Sequence, residues 1–146
     1  MGAGVRMEKP FYIPYDQIKT GHSAEMTVVM EDGLVREFSR LIGDTDSFHV
    51  SDEAAGATVF GSRICHGVHL LAYVSVAIGQ KLPGFGTVYL SHAFTFDNPV
   101  YIGDRVVVSI KVLEKLDGRR LRLDTTITRG DGELVLTGQA VVKTYR

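Results

Sequence analysis

The sequence holds little that could staple it, span a membrane or attract a polyanion. One cysteine, Cys65, stands among 146 residues, so no internal disulfide can form and a reducing, cytoplasmic setting is expected. Charge of neither sign predominates: sixteen Lys and Arg face seventeen Asp and Glu, for a formal net charge of −1. That balance provides no basic field for nucleic acid and no polybasic patch for an anionic membrane, so neither is expected as a partner. Long apolar runs are also missing. The longest, Val68 to Ile78, is about half a membrane span and is broken by His69 and Ser75. Residues 1–9 contain no apolar core of signal-peptide length. They offer no continuous face to dock, so a flexible N-terminus is expected there, followed by one domain over residues 10–146. The four prolines are scattered, and no repeat, low-complexity tract or linker interrupts the chain.

What is present is an ordinary globular composition, 45% apolar and 23% charged. A chain this long buries roughly two-thirds of its unfolded surface and stands without covalent staples. Its periodicity changes clearly along the way. Ala24 to Met30 has the β-branched content and partial alternation of a strand. Leu34, Val35, Phe38, Leu41 and Ile42 make the stripe of an amphipathic helix, with Glu31 and Asp32 at its positive end and Gly43 just past its last turn. Ser51 and the residues after it predict a short helical turn. A third helix is predicted from His66-Gly67 to about Gln80, apolar almost all round and therefore enclosed by other structure. Leu82-Pro83-Gly84 stops it. Four strands follow, at Thr87 to Phe96, Arg105 to Lys115, Leu121 to Arg129 and Glu133 to Tyr145, joined by Gly103-Asp104, Asp117-Gly118 and Gly130-Asp131-Gly132 turns. The order predicts an α+β domain of the hot-dog type, an antiparallel sheet wrapped around a long buried helix. A sheet with open edges that covers its helix on one side calls for a second copy to cover the other.

The stretch richest in chemistry is Ile42-Gly-Asp-Thr-Asp-Ser-Phe-His49. A carboxylate at Asp44 and an imidazole at His49 lie five residues apart in a connecting loop. Cys65-His66-Gly67 follows where the buried helix starts, and a helix N-terminus presents unpaired N–H groups and a positive dipole end. A base, a second acid or base and an oxyanion donor form a set suited to chemistry beside a carbonyl. Asp44 and His49 are also compatible with a solvated turn and an ordinary loop histidine, and the spacing alone leaves both readings open.

Gly43-Asp-Thr-Asp-Ser-Phe-His-Val50, Cys65-His-Gly67, Leu82-Pro-Gly-Phe-Gly-Thr-Val-Tyr-Leu90 and Phe94-Thr-Phe-Asp-Asn-Pro-Val-Tyr-Ile-Gly-Asp104 together resemble the MaoC-like (R)-specific enoyl-CoA hydratases. The resemblance runs from about Leu34 to Lys143. It implies a hot-dog fold, usually a homodimer, and addition of water to trans-2-enoyl thioesters of coenzyme A or acyl carrier protein, with no metal or redox cofactor. It further implies that Asp44 and His49 are the catalytic pair, that the Gly67 N–H binds the thioester carbonyl, and that Ser75 supports the catalytic carboxylate and lines the acyl pocket. On these terms Asp44 takes a proton from water, while His49 holds that water and returns a proton to the α-carbon. The chain departs from the family at Asp46-Ser47, where Asn-Pro is usual, and at Ser51, where Asp is common. Asp46 either bonds backbone N–H groups and fixes the loop, or raises the proton affinity of its neighbours.

Other residues carry plainer readings. His66 and His69 could face one metal ion, but no further ligands complete a set, and two satisfied, semi-buried histidines are favoured. Cys65 beside a helix start is read as a small apolar filler in preference to a reactive thiol. His92 is undecided, and Phe94, Phe96 and Tyr101 read as core or wall. Two rival functions remain, an acyl-CoA thioesterase on the same fold and a non-catalytic subunit of a heterodimeric dehydratase.

Overall fold

The structure is a computed structural model that describes residues 9–45 and 47–146. The expectation for residues 1–9 therefore lies outside the described residues except at Lys9, and so does any role for Asp46. Strand β1 spans Ser23–Val29, followed by helices α1 (Asp32–Ile42), α2 (Asp52–Gly56) and α3 (Gly67–Gln80). Four strands complete the chain: β2 (Thr87–Phe96), β3 (Arg105–Leu116), β4 (Arg120–Arg129) and β5 (Leu134–Thr144). All five strands pair antiparallel in one sheet of order β1-β3-β4-β5-β2.

The alternation in β4 fixes which face of the sheet is dry. Leu121, Leu123, Thr125 and Ile127 are each 0% exposed, while the residues between them are only half-buried. The β3–β4 hairpin turns through Gly118 (φ 70°) and Arg119 (φ 60°), the pair of positive φ values that matches strand twist in a tight hairpin. Gly138 on β5 lets β2 curl closely over it, since a Cβ there would lie 2.4 Å from the Ala93 carbonyl oxygen.

Helix α3 packs against this dry face along Leu70, Val74, Ala77 and Ile78, all buried. Its near-continuous apolarity predicts enclosure on every side, yet the described residues cover only one. Val68 is 56% exposed, and Ala72 and Ser75 are exposed on the same stripe. Strand β2, a free edge, exposes Val88, Leu90 and Phe96.

Two local devices hold the α1–α2 loop. At the end of α1, Gly43 is left-handed (φ 80°), its N–H bonds the Arg40 carbonyl, and the Asp44 N–H bonds the Ser39 carbonyl at 2.9 Å. This doubled closure fixes the backbone of Asp44 relative to the helix. At the other end Ser51 caps α2 through the Ala54 N–H, 3.2 Å from its hydroxyl. Arg63 clamps the whole: 8% exposed, it donates to Asp32 at 2.7 Å, to Asp52 at 2.8 Å and to the His49 carbonyl at 3.4 Å. It thus joins the starts of α1 and α2 to the loop between them. Arg63→Met keeps the apolar stem and removes the fork. It should cost about 2 kcal/mol, a fall of roughly 5 °C in melting temperature, and an unchanged thermal transition would show that the clamp is idle.

Candidate active site

Asp44, His49 and His66 converge where the α1–α2 loop meets the start of α3. One polar atom of each lies within 4.8 Å of the other two. The Asp44 Oδ2 accepts from the Ser47 hydroxyl at 3.1 Å and is 2.7 Å from His66 Nε2. The His66 hydrogen bond holds this carboxyl below the ordinary carboxylate value of 3.8, against a rise from desolvation and with help from Ser47. Asp44 is therefore ionised at neutral pH.

His49 is oriented from behind. Its Nδ1 lies 2.6 Å from the Ile64 carbonyl oxygen, which can only accept, so Nδ1 carries the proton and the neutral ring keeps a bare Nε2. The Ile64 carbonyl is fixed in turn, because Ile64 bridges Tyr101 and the Cys65 N–H bonds the Val100 carbonyl at 2.7 Å. Burial lowers the His49 pKa from 6.5, opposed by the bond to Ile64, and this favours the bare nitrogen at neutral pH. The His49 and His66 rings stack with centroids 3.8 Å apart.

Gly67 opens α3. His66, the residue before it, is extended (φ −63°, ψ 131°) and caps nothing with its side chain. Among the described residues the Gly67 and Val68 N–H groups have no hydrogen-bond partner, whereas the next two amides turn back to the His66 carbonyl. Two free donors thus sit at the positive end of a 14-residue helix. The Phe96 ring covers Gly67 so closely that an added Cβ would lie 2.7–3.0 Å from three ring carbons. Only glycine admits this approach without moving the ring.

These groups face one cavity of about 490 Å³. His49, His66 and Gly67 line its polar side, and Phe60, Leu70 and Phe96 contribute apolar wall. Asp44 is not itself part of the wall and meets the cavity through the imidazoles beside it. A water about 2.8 Å from each of two groups bridges up to roughly 5.6 Å, so the spacing of Asp44 and His49 accommodates one. A tetrahedral metal with bonds near 2.0–2.1 Å separates its ligands by roughly 3.4 Å. The 2.7 Å between His66 Nε2 and Asp44 Oδ2 is instead a hydrogen-bond separation.

Of the residues singled out in the sequence, Asp44, His49 and Gly67 come together. Ser75 does not join them. It follows His66 by nine residues, about half a turn round the helix in projection, and lies exposed on the stripe of α3 that the described residues leave uncovered. The partners of the Asp44 carboxylate among the described residues are Ser47 and His66. Cys65 is 4% exposed and burial pushes its thiol up to about 12, which makes it an inert filler. His69 takes no part in the cluster: its ring stacks on Phe38 at 4.2 Å, its Nε2 meets the Tyr73 hydroxyl at 3.1 Å, and burial foremost lowers its pKa to about 4. His92 bonds Tyr89 and, at 2.7 Å, the buried Thr125 hydroxyl, away from the cavity. Periodicity misses His66 and Arg63, since neither spacing nor residue type marks a partner 22 or 31 positions away. The single cue to His66 is its place directly before Gly67.

Comparison with known proteins agrees with this geometry. The chain matches the MaoC like domain over residues 15–131. It is 37% identical over 130 residues to the 3-hydroxybutyryl-CoA dehydratase of Methylorubrum extorquens, covering 88% of this chain and 82% of that one. It is 31% identical to the (R)-specific enoyl-CoA hydratase of Rhodospirillum rubrum, covering 88% of this chain and 89% of its relative. Among solved structures it superposes on the unliganded R-hydratase PhaJ1 of Pseudomonas aeruginosa with a TM-score of 0.87 and 35% identity, covering 91% of this chain and 86% of the other. A domain match over most of its length, relatives above 30% identity and the shared sheet-and-helix architecture establish that this chain belongs to the MaoC-like dehydratase family and has the hot-dog fold.

Proposed function

We propose that the protein is an (R)-specific enoyl-CoA hydratase, adding water reversibly across the trans-2 double bond of short or medium acyl thioesters. The observation that carries this reading is an ionised carboxylate clustered with an imidazole that keeps a bare nitrogen, beside an apolar cavity lined by that imidazole and by two residues with unpartnered amides. The relatives above 30% identity act on coenzyme A esters by name, which favours that carrier over acyl carrier protein, and the (R) hand follows the same relatives. A cavity of about 490 Å³ has room for such an acyl group.

The tautomer of His49 refines the division of labour suggested by the sequence. With Nδ1 pinned to a carbonyl, Nε2 is the proton acceptor, while Asp44, its pKa lowered, is a weak base. The thioester carbonyl lies against the Gly67 amide. Water, held between Asp44 and His49, attacks the β-carbon; the C–O bond forms, its proton passes to His49 Nε2, and charge flows onto the thioester oxygen facing the amides. The enolate then collapses and takes that proton from Nε2 onto the α-carbon. Asp44 orients the water and stabilises the transient imidazolium. One nitrogen takes and returns the proton, so the cycle closes without transfer between the two side chains, and no step calls for a metal or redox group.

A homodimer is part of this reading. The uncovered stripe of Val68, Ala72 and Ser75 on α3 and the exposed apolar residues of the β2 edge form a surface that a second copy would cover. It would also bring Ser75 into an interior. A single buried thiol suits a reducing compartment such as the cytoplasm, and among the described residues no helix is long and apolar enough to cross a membrane.

Asp44→Asn and His49→Ala should each slow crotonyl-CoA hydration, followed by loss of enone absorbance, by about two to four decades with little change in melting temperature. Near-normal turnover in either variant defeats the assignment. Because His49 must be bare to accept a proton and burial lowers its pKa, kcat/KM should rise with pH along an acid limb centred below 6.5 and be flat at neutrality. An acid limb above 6.5 contradicts the proposed base. The amide donor is separable from packing in a Phe96→Ala background, which removes the ring that a side chain at 67 would strike. There Gly67→Ala should match its parent. Gly67→Pro, allowed by the extended His66 backbone, should be slower by about two to three decades; equal rates for the two variants rule out the Gly67 N–H as donor.

A further inference from the structure

The proposed cycle leaves one buried titratable side chain of the cluster unused. His66 is 6% exposed and stands immediately before Gly67 at the start of α3. Its Nε2 lies 2.7 Å from Asp44 Oδ2 and 3.4 Å from the Ser39 hydroxyl of α1. Its ring stacks on His49 at 3.8 Å and meets the edge of Phe38 at 5.2 Å. Its Nδ1 is buried and has no partner among the described residues. An ionised carboxylate only accepts, so the shared proton belongs to His66 Nε2. The orphaned Nδ1 is then the bare nitrogen of the ring. Placing a proton there would strand a donor in the wall, and buried N–H groups without partners are rarer than idle acceptors.

We propose that His66 is a positioning residue for the reaction, whose Nε2–H aims the Asp44 carboxylate and whose ring face sets the plane of His49. Asp44 has two side-chain partners among the described residues, and Ser47 belongs to its own loop. His66 is the partner that ties the carboxylate to α3, the element carrying the free amides. The registration of proton acceptor and oxyanion donors therefore runs through this bond. The stack does the same for His49. The bond from Nδ1 to Ile64 fixes one point of the ring and leaves it free to rock; a second ring 3.8 Å from its face removes that freedom and keeps Nε2 directed at the water. Small errors in such placement are costly, because catalysis of this kind depends on reacting atoms held near contact distance. His66 carries no proton to or from substrate in this account.

This inference rests on the reading of Asp44 and His49 above. It is tested with His66→Leu, which removes the donor at similar bulk, and His66→Gln, whose side-chain amide can donate from nearly the same position. His66→Leu should lower kcat for crotonyl-CoA by roughly ten- to a hundredfold, with KM changed by less than about threefold. His66→Gln should recover kcat to within about fivefold of the parent through the restored donor, with the remaining deficit assigned to the lost stack. A folded His66→Leu with parental kcat overturns the proposal, and so does a His66→Gln as slow as His66→Leu. Should His66→Leu not fold, 15N NMR of the histidines in the unmodified protein decides: the proposal requires Nε2–H at His66 and Nδ1–H at His49, and the opposite tautomer at His66 refutes it. If Asp44→Asn and His49→Ala retain turnover, the reading of the site fails. If those two are inactive while His66→Leu is normal, only the positioning role fails.

Discussion

A helix cannot satisfy its own first amides, and α3 begins at the wall of the cavity with no side chain to cap them. His66, in the capping position, turns its ring away to Asp44 and leaves the Gly67 and Val68 N–H groups free at the edge of an apolar cavity. Donors left without a protein partner are open to a ligand that enters the cavity. Glycine at 67 lets the Phe96 ring lie over the helix start, and Phe96 adds an apolar surface beside the donors. The dipole of the helix adds to their pull on negative charge. An oxygen that gains charge during reaction is the natural partner of such a place, and the thioester oxygen of an enoyl substrate is one.

The loop opposite is held to match. A left-handed glycine ends α1 so that Asp44 leaves the helix in a fixed direction. Arg63 gathers the two flanking helix starts and the His49 carbonyl around one guanidinium. The neighbouring Ile64 presents the carbonyl that selects the His49 tautomer. These supports combine backbone groups with the Arg63 guanidinium. Ser47 adds to the ordering of the loop, accepting the His49 N–H at 3.2 Å and donating to Asp44.

Much of the fold is legible in the residues because each element reports a single physical requirement. The alternation of Leu121, Leu123, Thr125 and Ile127 against polar neighbours gives a strand with one dry face, and that is the face α3 covers. The stripe of α1 and Gly43 after it give a helix and its stop. The apolarity of α3 gives a helix, but cannot say which side this chain covers, since a partner's surface and its own core ask for the same residues. The site is legible where chemistry and chain proximity coincide, in Asp44, His49 and Gly67. It is not legible in His66, Ser47 and Arg63, whose parts depend on partners brought near only by folding. Ser75 shows the converse: a role suggested by resemblance alone, at a position that faces outward from the single chain.

The central claim is that one nitrogen, His49 Nε2, both takes the proton from water and returns it to the α-carbon. A single carrier works on a single face of the double bond. Hydration of crotonyl-CoA in D2O, with the relative configuration of the product read from its proton couplings, tests this directly. The account predicts (3R)-3-hydroxybutyryl-CoA with the hydroxyl and the new deuterium added to the same face. Addition to opposite faces, or a (3S) product, would contradict it.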